Sequence, residues 1–361
     1  MFRTYMVRQR FIWCFLSYLM SLTSDKLKQT KQKMTNENDN VAYKTKSALN
    51  QDGVQTNRLM LVLRTPPCEY NKCTMCGFGN NASRNIRLQN IQRQYQNGIA
   101  GVDFSDIARI DFPTAGSFYN DRELSPESRN YLFSEVSKLP VSSTMVETRV
   151  DCLSEEKVRE SKSHLRPDQT IELAIGLESA DDRIRNSILR KGLSKSGFER
   201  FADICKKTDS RLLAYTLIKS PTLTEAEAIE DAVKTADFVY KVANDRGIKA
   251  RVAFKPMFIP ANTELEKQYL SGSYKLPKLW TTIEAVKRTI GLGSHQPNSI
   301  FVGMFDEDLS GDRFSSNCGE CNPRVVEALK RFNGNQNISE LERLSCECKS
   351  DWEKEIRGEI K

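Results

Sequence analysis

Three cysteines stand close together in the stretch RTPPCEYNKCTMCGFGNN: Cys68, Cys73 and Cys76, spaced C-x4-C-x2-C. Thiolates this near one another can ligate three irons of a [4Fe–4S] cubane and leave the fourth iron without a protein ligand. A vacant iron corner is what reductive cleavage of S-adenosylmethionine requires: the methionyl amino and carboxylate groups chelate it and bring the sulfonium against the cluster. A four-cysteine zinc site would need a fourth ligand nearby. Outside the triplet no Cys or His lies between residues 15 and 151, and the chain has only two His, His164 and His295. A zinc or electron-transfer site that borrows a distant ligand, and three unrelated loop cysteines, are the alternatives.

Four more cysteines lie near the end, Cys318 and Cys321 in NCGECN and Cys346 and Cys348 in SCECKSDW. Four sulfur ligands in a C-x2-C…C-x-C arrangement suit a tetrahedral zinc ion (Zn2+) or an auxiliary iron–sulfur cluster. Four free thiols are the plain alternative.

The triplet needs a scaffold that presents a loop. From Leu59 onward short apolar runs alternate with amphipathic ones. Strands are expected at 58–64, 108–113, 144–150, 170–177, 212–219 and 250–258. Helices are expected at 85–96, 126–138, 155–163, 181–189, 196–207 and 225–244. Thr224 before Glu225, with Glu227 three residues on from Thr224, predicts a capped helix start. Six strand–helix repeats argue for a parallel sheet, and the Val/Ile/Leu-rich strands fit one covered on both faces. The expected fold is α/β: a partial (β/α)6 TIM-type barrel, open on one side, with a small C-terminal Cys-rich module. The chain divides into an extension over 1–55, a core barrel over 56–300 and the Cys-rich module over 301–361. In a parallel βα array functional groups gather where strands end. The polar and Gly-containing segments fall there: Thr65–Cys76, Thr114–Ser117, Glu147–Asp151, Gly176–Ser179, Lys219–Pro221 and Lys255–Pro260.

The triplet after the first strand, with Gly77 behind its third cysteine, resembles the radical S-adenosylmethionine superfamily. The commonest spacing there has three residues between the first two cysteines, not four. The residue before the third is usually aromatic and packs on the adenine; Met75 stands there, and a thioether can make the same apolar contact. The resemblance runs over about residues 58–352. PTAGSF, ETRVD, AIGLES, LRKGLS, LIKSPTLTE, YKLPKLW and the terminal cysteine pairs follow in an order similar to the archaeosine-biosynthesis radical enzymes. It implies a [4Fe–4S] cluster and S-adenosylmethionine as cofactors and a 5′-deoxyadenosyl radical. It also implies a 7-deazaguanine substrate in tRNA or DNA, carbon–nitrogen bond cleavage of a lysine adduct, a partner subunit, and an electron donor such as flavodoxin or ferredoxin.

Several residues gain roles on this reading. Gly116 and Ser117 sit where the superfamily has a Gly-containing segment that meets the methionyl amino group; an ordinary βα turn is the alternative. Glu147 and Arg149 share a strand face and can grip a zwitterion or form a structural salt bridge. Glu178 resembles a position that contacts ribose or methionyl groups, and is otherwise a helix N-terminal charge. Lys219 and Lys255 can hold a carboxylate or phosphate at the barrel mouth, or serve as solvated rim charges. Trp280 can stack on a base, although a core Trp is the commoner case. A small-molecule or peptide substrate, and a non-enzymatic iron–sulfur protein, are the rival functions.

Net charge does not decide between them. Nine Lys/Arg against three acids place +6 of the formal +7 within residues 1–50, so residues 51–361 carry about +1 and give no RNA-binding field. The clustered cysteines point to a reducing, cytoplasmic setting. Residues 1–55 are polar after Leu22 and are expected to be mostly disordered. The apolar run Phe11–Leu22 is too short to span a bilayer, so no stable membrane insertion is expected. It reads as a dispensable or mis-assigned extension ahead of Met34, a membrane-surface anchor, or a signal core.

Overall fold

The computed structural model describes residues 37–303 and 313–359. The extension's apolar run and Met34 lie outside these residues.

The chain first forms a hairpin. Strand β1 (Tyr43–Gln51) runs antiparallel to β2 (Val54–Val62), joined by Asp52 and Gly53, both at positive φ (54° and 91°). Two left-handed residues in a two-residue loop give a turn whose twist matches that of the strands, which Asp-Gly favours. Asp52 is further held by Arg211 and Lys249. Disorder was expected up to residue 55, and the hairpin corrects that for residues 43–55. Lys44 and Lys46 point to solvent while Tyr43, Thr45 and Ser47 face inward, so the strand lacks the apolar alternation that would reveal it.

Strands β3 (Ile107–Phe112), β4 (Ser143–Glu147), β5 (Thr170–Glu178), β6 (Arg211–Ile218), β7 (Ala250–Pro256) and β8 (Ile300–Val302) follow in parallel, in sequence order. The six expected strands are all present. The hairpin strand and the three-residue β8 add one strand at each edge, giving an eight-stranded, nearly closed barrel-like sheet. The expected boundary at residue 300/301 falls inside β8.

Helices α1 (Leu88–Ile99), α2 (Pro126–Val136), α3 (Glu155–Ser163), α4 (Lys195–Lys207) and α5 (Glu225–Arg246) cover the outer face. Then come α6 (Glu264–Leu270), α7 (Leu279–Ile290), α8 (Asn322–Asn335), α9 (Ser339–Glu342) and α10 (Glu347–Ile356). The cap on α5 forms as expected: Thr224 Oγ1 accepts from Glu227 N, and the Glu227 carboxylate accepts from Thr224 N. The helix expected at 181–189 is a π-helical turn, Arg183–Ile188.

No β1–β8 pairing closes the sheet; α8 fills that seam. Asn50 Nδ2 on β1 donates to Gly334 O at 2.9 Å, and Asn333 exchanges two hydrogen bonds of 2.8 Å with the Val302 backbone on β8. The Asn333 side chain thus satisfies backbone groups on the β8 edge that a neighbouring strand would otherwise take.

Inside the barrel the lowest layers are ionic. Arg58 binds Asp111 at 3.0 Å; Arg109 binds both Asp111 (2.7 Å) and Glu172; Arg251 binds Glu172 at 3.3 Å. Burial opposes the Glu172 charge, but Arg109 and Arg251 outweigh it and hold the carboxyl below its usual range. An apolar ring of Leu49, Met145, Ala174, Leu213, Ala253 and Phe301 lies among these charges. The barrel is filled below and hollow above.

Candidate active site

The hollow is a cavity of about 380 Å³ at the carboxyl ends of the strands. Cys68, Cys73 and Cys76 all line it, together with Met75, Gly116, Glu147, Arg149 and Glu178. Eight residues expected in the site from sequence therefore share one space. Ser117 is buried beside it: its N–H donates to Glu123, and its Oγ accepts from Arg149 N at 3.2 Å.

The cysteine loop has little regular structure, so tertiary bonds fix it. Thr74 N donates to Leu189 O, Thr74 Oγ1 to Ile188 O, and Leu265 N to Thr74 O. Tyr70 Oη donates to Arg190 O at 2.8 Å, and the Arg149 guanidinium lies 3.8 Å above the Tyr70 ring. Met75 packs on the apolar cluster that includes Ile184, Leu217, Met257 and Leu265. Burial raises the Cys73 thiol and pushes that of Cys76 to about 11, so a bound metal is what would draw these groups to thiolates.

Glu123, a residue sequence reasoning passed over, ties this loop to the next. Its buried carboxylate accepts from Glu69 N (2.8 Å), Ser117 N and Asn120 Nδ2 (2.8 Å). Gly116 is where that knot is tightest. A Cβ there would lie 1.9 Å from Glu123 Oε2 and 2.8 Å from the Cys68 Cα.

Lys191 was the other omission. It appears in sequence only inside LRKGLS, with nothing to mark it from other lysines. In the fold its Nζ lies 2.6 Å from Glu178 Oε1, within reach of the fields of Cys73 and Glu147. Burial alone would lower its pKa, but Glu178 and Cys73 raise it, and the ammonium stays charged. Glu178 sits at φ 66° beyond a bulge in β5, which turns its side chain inward.

Arg149 leaves its strand, since β4 ends at Glu147, and reaches Asp151 (3.1 Å) and Lys191 O (3.0 Å). Arg58, Met60, Tyr215 and Lys255 also line the cavity, with the Lys255 ammonium 5.3 Å from the Tyr215 ring centre. Lys219 is corrected: it is buried and paired with Glu225, so it does not offer its charge to a ligand. Trp280 is likewise buried, with Nε1 donating to Cys348 Sγ at 3.4 Å, and cannot stack on a base.

Cys318, Cys321, Cys346 and Cys348 bring their sulfurs within 4.8 Å of one another. None of the four lines the cavity. No helix among the described residues is long and apolar enough to cross a membrane.

No family model matches the chain. The chain does resemble radical S-adenosylmethionine enzymes. It is similar to the archaeosine synthase subunit beta of Methanosarcina acetivorans, 28% identical over a 314-residue alignment that covers 85% of this chain and 87% of that protein. A protein of Methanocaldococcus jannaschii described as uncharacterised is 28% identical over 361 residues, covering 96% of this chain and 94% of its own. Among solved structures, a radical SAM methyltransferase from Sphaerobacter thermophilus superimposes with a TM-score of 0.47 at 14% identity, over 72% of each chain.

Proposed function

We propose that Cys68, Cys73 and Cys76 hold a [4Fe–4S] cluster, and that the enzyme cleaves S-adenosylmethionine there to act on a 7-deazaguanine nucleoside of tRNA. The observation that carries this reading is the position of the triplet. Three thiols, with no fourth Cys or His lining the same cavity among the described residues, open onto a chamber that contains both acids and bases. That donor set fits a cubane with one corner left for a ligand. When bound, the cluster supplies the electron that breaks the sulfonium carbon–sulfur bond and yields the 5′-deoxyadenosyl radical.

The chain's own residues position and select. The backbone at Gly116 approaches the methionyl end, because the absence of a side chain leaves Cys68 and Glu123 in place. Glu178, held by Lys191, accepts hydrogen bonds from ribose or methionyl groups, and Met75 gives the adenine an apolar face. Arg149 screens the triplet side with its charge fixed by Asp151. Glu147 and Lys255 place one acid and one base in the cavity wall, a lining that suits a zwitterionic lysine substituent. The relative's name, a subunit beta, supports a partner subunit that helps bring the tRNA. The near-neutral body of this chain agrees with that division of labour.

Mass spectrometry of tRNA nucleosides from cells with and without the gene tests the substrate. Loss of the formamidine deazaguanosine and build-up of its lysine adduct supports the proposal. An unchanged deazaguanine profile rejects it and transfers the cavity to a small-molecule or peptide substrate.

A further inference from the structure

The terminal cysteines carry a second piece of chemistry that the cavity does not use. Cys318 Sγ lies 3.7 Å from Cys321 Sγ and 3.7 Å from Cys346 Sγ, and Cys321 Sγ lies 3.7 Å from Cys348 Sγ. These separations decide among the possible occupants. A disulfide would place two sulfurs about 2.05 Å apart. The thiolates of a cubane project from its corners and sit roughly 6 Å apart. A single ion with metal–sulfur bonds of about 2.3 Å sets the edges of its tetrahedron at about 3.75 Å. Only the last matches. Among the described residues, these four are the one group of potential ligands gathered this closely, and the triplet is not.

The surroundings suit metal-bound thiolates. Trp280 Nε1 donates to Cys348 Sγ at 3.4 Å and Asn317 Nδ2 to Cys321 Sγ at 3.5 Å. Donors of this kind orient ligands and spread their negative charge. Cys321 and Cys346 stand at the N-terminal ends of α8 and α10, where helix dipoles favour anionic sulfur.

We propose that Cys318, Cys321, Cys346 and Cys348 bind one tetrahedral zinc ion, closed to outside ligands, which clamps the C-terminal segment onto the barrel. The clamp has a structural purpose. It ties the start of α8 to the start of α10 and, through Trp280, to α7. Trp352 on α10 donates to Thr281 Oγ1 on α7 at 2.9 Å beside it. The far end of α8 is the piece that fills the β1–β8 seam. Four protein ligands leave no position for substrate or water, so the ion takes no part in the cleavage.

Metal analysis of the full chain, purified and reconstituted without oxygen, tests this. We expect about one zinc per chain beside the iron. Replacing Cys346 and Cys348 with Ser removes the zinc, lowers the melting temperature and leaves the iron. Replacing Cys68, Cys73 and Cys76 with Ala removes the iron and leaves the zinc. Should the Ser variant fail to fold, wild-type chain exchanged with cobalt(II) gives the answer: a tetrahedral thiolate spectrum supports the site. Twice the iron of one cubane with no zinc, or a folded chain that retains no metal at these cysteines, overturns it.

Discussion

Lys191 Nζ and Glu178 Oε1 meet at 2.6 Å across the place where Gly176 has no side chain. A Cβ on Gly176 would lie 2.2 Å from each of these atoms. Strand β5 therefore carries a glycine to let an ion pair cross the cavity wall. The pair presents a carboxylate of fixed direction beside Cys73, which is what recognition of hydroxyls or an amino group demands.

Lys191→Met leaves Glu178 buried without its partner, at a cost of about 3 kcal/mol in denaturant unfolding. S-adenosylmethionine affinity falls by about tenfold or more. The double variant Glu178→Gln/Lys191→Met recovers part of the stability and none of the affinity. If calorimetry found the double variant binding normally, the pair would be structural only.

Gly116→Ala drives a methyl group into Glu123 and the Cys68 backbone. Overpacking of this sort costs about 1–3 kcal/mol, and here it falls on the loop that carries the triplet. Iron incorporation drops while circular dichroism is unchanged. Gly79→Ala, where a Cβ meets nothing within 4 Å, loads normally. Equal iron content in the two variants contradicts the role of this close approach.

Asp231, on α5, accepts from Ser179 Oγ at 2.6 Å, next to Glu178. Burial, with repulsion from Asp181, raises its pKa to about 6. A carboxyl whose folded pKa exceeds its unfolded value stabilises the fold while protonated, and that stability fades as pH rises from near 4 through about 6. Asp231→Asn therefore gains melting temperature over wild type at pH 7.5 and little at pH 4.5. A gain independent of pH shows that Asp231 is not the titrating group.

What the sequence revealed and what it hid follow from the same physics. Apolar parallel strands and the cysteine triplet were legible, because burial on both faces and thiolate spacing leave local signatures. Strand β1 was not, because three of its inward residues, Tyr43, Thr45 and Ser47, carry polar groups and only Leu49 on that face is aliphatic. The Asp52-Gly53 pair was the signal that could have exposed the hairpin. Lys191 and Glu123 lay hidden because their partners come from distant segments: Glu178 lies across a π-helical turn, and Glu69 precedes the triplet's second cysteine. Lys219 misled for the converse reason. A lysine at a strand end looks exposed, but Glu225 takes its charge six residues later.

Release of 5′-deoxyadenosine tests the central claim most directly. Chain reconstituted with iron and sulfide without oxygen, then given S-adenosylmethionine and dithionite, should release it over many minutes; Cys73→Ala should release none. A wild-type chain that assembles the cubane and leaves S-adenosylmethionine intact, or a Cys73→Ala variant that cleaves it equally well, contradicts the account.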